Sequence, residues 1–222
     1  MSEKFLKIIP LGGTGQIGKN MLVFEYDDQL LIVDCGFMFP ESDRLGIDIV
    51  IPDMGYVFER KDRVRAIIVT HGHEDHVGAL AYFLAEVNVP VYGTPLTCEV
   101  AKGRPEEEGV RAEFRPVEYN TWVQHGPFTF CLVPVSHSIP DGAAVVFDTP
   151  EGYIIHSGDF KLDPTPIDGR ATDLPTFAGF GRRGVRLLLA DSTNAEVPGF
   201  VPSERSLGKT IEDIVRRAQG RV

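Results

Sequence analysis

Three of the chain's six histidines fall within six residues, in the segment THGHEDHVG at residues 70–78. They are His71, His73 and His76, with Asp75 just before the last. In extended backbone, residues i and i+2 point the same way, so His71 and His73 can hold one metal ion. Asp75 and His76 fall on the turn that follows and can hold a second ion nearby. Imidazole with carboxylate suits zinc, and manganese less exclusively. The segment lies between a β-branched apolar run at 64–70 and a helically spaced run at 77–87. In α/β proteins, ligands bind there, beyond the carboxyl ends of strands.

Two ions need more ligands. His137, in PVSHSIPD, follows an apolar run that ends at Val135, and Asp159, in IIHSGDF, follows the run at 153–156. A carboxylate such as Asp159 can bridge two divalent ions, as a two-metal hydrolase site requires. His156 reads as a group that supports Asp159 rather than as a ligand. His125, in WVQHGPF, reads as solvated. Lys102, Arg104, Arg182, Arg183 and the acidic run at 106–108 read as solvated surface, and Phe128 and Phe130 as core.

A different motif competes at the N-terminal end. Gly13, Gly15 and Gly18 form GxGxxG after an apolar run, and Asp34 follows Gly13 by 21 residues. That spacing matches a dinucleotide fingerprint, which needs a helix after the glycines and a returning parallel strand. The stretch between Gly18 and Asp34 instead reads NMLVFEY, a turn at 27–29, and LLIVD. It is too short for that helix and is better read as a hairpin. The glycines then mark a tight loop or a close backbone approach.

The positioning elements follow from apolar patterning. Residues 4–11, 20–26, 30–34, 64–70, 89–92, 128–135, 143–147, 153–156 and 185–190 read as strands. Residues 77–87, 97–109 and 203–218 read as helices, the last with Ser203 as N-cap. The Pro- and Gly-rich stretch at 164–184 reads as a long loop. Strands outnumber helices, which predicts an α/β chain with mixed sheets.

Bulk properties narrow the function. The 222 residues are enough for one domain with a core or two small ones. With 22 basic and 32 acidic residues the net charge is −10, which argues against a generic nucleic-acid-coating surface but not against a metal site that neutralises phosphate. Cys35, Cys98 and Cys131 are scattered and odd in number, so neither a disulfide framework nor a thiolate zinc site is expected, and a reducing compartment fits. There is no signal-peptide pattern and no apolar run of spanning length, so a cytoplasmic location is expected.

The order HxHxDH, isolated His, isolated Asp resembles the metallo-β-lactamase superfamily. More narrowly, GGTGQIGKN, DCGFMFPE, THGHEDHVG, SHSIPD, GDFKLDPTPIDG and LLADSTNAE closely resemble the bacterial ribonuclease J family, in the β-CASP branch. The resemblance runs from about Leu6 to Val222. It departs at Gln16, where Glu is usual, and at Ser157, where Thr is usual.

The resemblance implies an αββα sandwich that is incomplete on its C-terminal side. Residues 1–190 would be the N-terminal part of the metallo-β-lactamase domain. Residues 191–222 would begin a truncated β-CASP region, with the rest of that domain, the returning strands and the last metal-binding histidine absent. It implies one ion on His71, His73 and His137 and another on Asp75, His76 and Asp159, zinc first and manganese second. It also implies a supporting role for Asp34 and Asp191 and, more weakly, a structural calcium near Gly46 and Asp48. The implied activity is metal-dependent hydrolysis of RNA, both 5′–3′ exonucleolytic and endonucleolytic, in a full-length homo-oligomer. Asp75 would orient or deprotonate the attacking water. The alternatives are a small-molecule metallo-hydrolase of the same superfamily, or a catalytically incomplete segment that only binds metal or a partner.

Overall fold

The structure, a computed structural model, describes residues 5–40 and 45–221; Lys4, placed in the first strand by its pattern, lies outside them. The chain opens with a meander of β1 (Lys7–Gly12), β2 (Met21–Tyr26) and β3 (Gln29–Val33). β2 and β3 pair antiparallel, Leu22 opposite Val33 and Tyr26 opposite Gln29. Asp27 and Asp28 turn the hairpin at φ 52° and 57°, the left-handed pair that a two-residue turn between twisted strands demands. No helix follows the glycine loop, so the dinucleotide reading falls.

From β3 the sheet grows by parallel strands. β4 (Val64–Ile68), β5 (Val91–Gly93) and β6 (Phe114–Pro116) follow in order. A short α1 (Gly55–Phe58) precedes β4. The crossover from β4 to β5 carries α2 (Glu74–Val77) and α3 (Leu80–Glu86), and that from β5 to β6 carries α4 (Pro95–Glu107). The second sheet is an antiparallel meander of β7 (Val123–His125), β8 (Phe128–Pro134), β9 (Ala143–Thr149) and β10 (Gly152–His156). β11 (Val185–Leu189) joins it parallel to β10 after α5 (Leu174–Arg183). A final α6 (Leu207–Arg217) follows.

Strand alternation explains the layers. Met21, Val23, Leu30, Ile32 and Ile67 face one side, where they pack with Leu80, Phe83 and Leu84 of α3. Leu22, Phe24, Leu31, Val33 and Ile68 face the other and meet Phe130, Leu132, Val145 and Phe147 of the second sheet. On that sheet's outer side, Cys131, Val133, Val146 and Ile155 receive Phe180 of α5. Both faces of the first sheet are covered, which is why its central strands are apolar throughout rather than alternating. The result is helix, sheet, sheet, helix. The exception is β11, at the edge of the second sheet, where Leu188 stays 58% exposed.

Four expectations need correction. The stretch at 164–184 is not all loop, because α5 occupies its second half. Asp173 caps it, accepting from the Thr176 amide at 3.1 Å. Pro175 sits in the first turn, where a missing amide proton costs nothing, and the glycines lie away from the buried Phe180. The helix expected over 77–87 is broken between α2 and α3, where the Ala79 amide bonds the Cys35 carbonyl at 2.9 Å. His125 is not merely solvated: it ends β7 and its Nδ1 lies 2.8 Å from the Tyr92 hydroxyl. Ser203 also caps a 3₁₀ turn, Glu204–Ser206, rather than α6 itself.

Candidate metal centre

The centre is built where β3 and β4 end side by side. Asp34, at φ 61° and 1% exposed, turns its carboxylate onto the exit of β4. Its Oδ1 accepts from the Thr70 amide at 2.8 Å, and its Oδ2 lies 2.8 Å from His76 Nδ1. The Thr70 hydroxyl is within 3.0 Å of both oxygens and 3.1 Å from His71 Nδ1. One buried carboxylate therefore orients two imidazoles, His76 directly and His71 through Thr70. In both rings this turns Nε2 into the cleft, the role outer carboxylates play behind metal-binding histidines.

The segment around His73–Gly78 is also stitched down by backbone. Asn20 N bonds Asp75 O at 2.9 Å, Cys35 N bonds His76 O at 2.7 Å and Phe37 N bonds Glu74 O at 3.2 Å. Gly36 passes so close that a Cβ there would fall 1.6 Å from the Asp75 carbonyl oxygen. Only glycine lets the two segments touch.

Five of the six expected ligands converge. His71 Nε2 lies 3.1 Å from His73 Nδ1, and His137 Nε2 lies 3.2 Å from the same atom. Nitrogens on one tetrahedral zinc ion stand about 3.3 Å apart, given bonds of about 2.0–2.1 Å. Facing lone pairs at such distances repel unless a cation or a proton lies among them, so the donor set fits a metal. Asp159 Oδ2 is 3.6 Å from His137 Nε2 and 4.0 Å from His71 Nε2, while Oδ1 is 3.4 Å from His76 Nε2. Its two oxygens face two donor sets.

Among the described residues, two groups bring their donor atoms within 4.8 Å of one another: His71 with His73 and His137, and His71 with His76 and Asp159. Asp75, expected in the second group, stands at its edge, with Oδ2 3.6 Å from His76 Nε2. Asp48 falls in neither group.

Charge and burial decide which atoms are free. Burial, with the neighbouring His76, pushes His71 down to about 2. Burial also lowers His137. Burial opposes charge on His76 too, but Asp34 and Asp159 outweigh it and carry that imidazole up to about 10. Burial would raise Asp159, yet the His76 hydrogen bond and the surrounding imidazoles hold it well below the usual carboxylate range. His76 thus carries a proton between Asp34 and Asp159, and a metal ion must displace it.

The centre opens into a cleft of about 680 Å³. One wall is the glycine loop, residues 12–18, and the other is the Asp191–Asn194 turn. Gly13 (φ 80°) leaves no room for a side chain, since a Cβ would lie 2.2 Å from Asn20 Oδ1. Asp191 is tied to the end of β10, its amide donating to Ser157 Oγ at 2.9 Å. Sequence reasoning passed over Asn20 and Thr70. Asn20 Nδ2 donates to Asp75 Oδ2 at 3.2 Å and to its carbonyl at 3.1 Å, and lies 3.0 Å from His76 Nε2. The available signals were the positions of Asn20 just after the glycine loop and of Thr70 just before the histidines.

The family model of the metallo-beta-lactamase superfamily matches residues 14–197. The chain is 45% identical to ribonuclease J of Thermus thermophilus over 99% of its own length, and 44% and 42% identical to ribonuclease J of a Synechocystis species and of Helicobacter pylori. It spans 40%, 34% and 32% of those relatives. A protein of unknown function from Enterococcus faecalis shares the fold at TM-score 0.70 and 17% identity, covering 99% of this chain and 59% of that one. The metallo-beta-lactamase fold protein YhfI of Bacillus subtilis does so at 0.52 and 17%, covering 71% and 63%.

Proposed function

The chain belongs to the metallo-beta-lactamase superfamily, and from that premise we propose that it is the metal-binding part of a ribonuclease that hydrolyses RNA phosphodiesters. The observation that carries the reading is the 42–45% identity to ribonuclease J along nearly all of this chain. In this reading His71, His73 and His137 would hold one ion, and Asp75, His76 and Asp159 the other. Three imidazoles and a carboxylate suit zinc, and manganese next. The ions, when bound, supply Lewis acidity to phosphoryl oxygens and lower the pKa of a water.

The chain's own groups do the rest. Asp75, steadied by Asn20, is placed to orient the attacking water and take its proton. Asp34 keeps His71 and His76 in their tautomers. The products carry 5′-phosphate and 3′-hydroxyl ends, from cutting both 5′–3′ and internally.

The same reading includes several finer points. Residues 1–190 form part of the metallo-β-lactamase domain and Asp191 opens the β-CASP region, in a longer chain that self-associates. A calcium near Gly46 and Asp48 is included by resemblance. A cytoplasmic setting is supported by three buried free thiols; no helix among the described residues is long and apolar enough to cross a membrane.

The test is metal content of the purified chain, with cleavage of a 5′-monophosphorylated RNA, beside His73→Ala. About two ions per chain and cleavage lost in the variant are expected. A chain that loads metal but cleaves a lactone or thioester, and no RNA, would overturn the reading.

A further inference from the structure

His156 has no part in the ligand set, yet it lines the floor of the cleft. Ile154 packs between the sheets and Ile155 on the outer side, so alternation returns His156 to the inter-sheet side at the end of β10. There it faces the cluster of Asp34, His76 and Asp159, whose charges it feels.

The ring's tautomer is set by the backbone. The Gly158 amide donates to His156 Nδ1 at 3.2 Å, so Nδ1 must keep its lone pair. Burial lowers its tendency to protonate, and a neutral ring with Nδ1 unprotonated carries its hydrogen on Nε2. An Nε2 that bears a hydrogen cannot ligate a metal. No described residue accepts from it, and the neighbouring Ser157 hydroxyl is committed to the Gly158 carbonyl at 2.6 Å. The cleft is also lined by the carboxylates of Asp34, Asp75 and Asp159. A fixed neutral donor there needs an oxygen acceptor from outside the chain.

We propose that His156 is a substrate-contacting residue whose Nε2–H donates to a non-bridging oxygen of the bound phosphodiester. The choice of phosphodiester rests on the ribonuclease reading; the tautomer and the direction of donation do not. A neutral donor holds the phosphoryl oxygen without competing for the ions, as an ammonium or guanidinium would by pairing with Asp159.

The test uses the zinc-loaded chain and a 2′-O-methylated diuridine phosphodiester as probe. Nitrogen-15 imidazole spectra should place the His156 hydrogen on Nε2 in the free chain and shift that nitrogen on titration. His156→Phe should weaken probe affinity roughly tenfold, the scale of one hydrogen bond to a charged group, with zinc content unchanged. His156→Gln, which retains a donor, should recover most of the loss. An Nδ1–H tautomer, unchanged probe affinity in His156→Phe, or zinc loss in both variants would overturn the proposal. If wild type loads zinc but binds no diester, both the ribonuclease reading and this contact fall. If it binds diester and only the variants behave like wild type, this contact alone falls.

Discussion

Asp34→Asn is the sharpest probe of how the site is held. A carboxylate offers two acceptor oxygens here, one to Thr70 and one to His76. An asparagine offers one oxygen and one amide nitrogen, so either the Thr70 or the His76 donor must face another donor. All three side chains are buried, Asp34 at 1% exposure and His76 at 2%. One charge-assisted hydrogen bond is lost, about 1.5–3 kcal/mol, and a buried donor is left unpaired, about 1–3 kcal/mol. Together these predict a loss of about 2.5–6 kcal/mol. At roughly 2–4 °C per kcal/mol for a domain of this size, melting should fall by on the order of 10 °C. Because Asp34 stands behind both His71 and His76, zinc affinity should fall about 10- to 100-fold as well. Urea unfolding of the chain without metal gives the first number, and calorimetric zinc titration the second. A variant within about 0.5 kcal/mol of wild type, or with unchanged zinc affinity, would refute the claim that this carboxylate orients the imidazoles.

Other outcomes follow from the same geometry. Gly36→Ala should displace the segment carrying Asp75 and His76, since its Cβ would meet a backbone oxygen; zinc titration should show weaker binding even where circular dichroism reports a folded chain. Zinc loading should release close to one proton at neutral pH, because His76 is held at about 10, read from titrations in buffers of different ionisation enthalpy. The sign is set by a raised pKa. His76 lends the metal-free chain stability that is complete below about pH 6.5 and fades as pH climbs through about 10, while zinc affinity rises with pH over that range. Asp173→Ala should cost about 1 kcal/mol by uncapping α5 and leave zinc binding as it was, which denaturant melts and metal analysis will separate.

Much of the candidate site could be read from types and spacing because its donor side chains sit at strand ends. His71 and His73 share a direction by simple alternation, and His137 and Asp159 each follow an apolar run. The separation of β8 and β10 from β4 in the sequence does not matter once the two sheets face each other. What stayed hidden were groups whose roles arise only from folding. Asn20 looks like the start of a strand until the chain brings Asp75 beside it. His125 looks solvated until β5 delivers the Tyr92 hydroxyl. α5 was masked by its own Pro and Gly content, although Asp173 and Thr176 carried the capping signal. The broken helix after His76 could not be read either, because the competing acceptor, the Cys35 carbonyl, comes from 44 residues earlier in the chain.

The backbone bonds that bind residues 74–79 to Asn20, Cys35 and Phe37 have a thermodynamic consequence. They tether the turn that carries Asp75 and His76 to the segments that flank the buried strands β2 and β3. Metal capture is then not the event that folds this region, unlike small zinc domains whose apo forms are unfolded. A chelator should strip the ions and leave a native chain behind. The amides of Asn20, Cys35 and Phe37 should exchange with deuterium only through openings that approach global unfolding. Binding draws little on chain ordering, so its free energy stays available for acidifying water rather than for assembling the site.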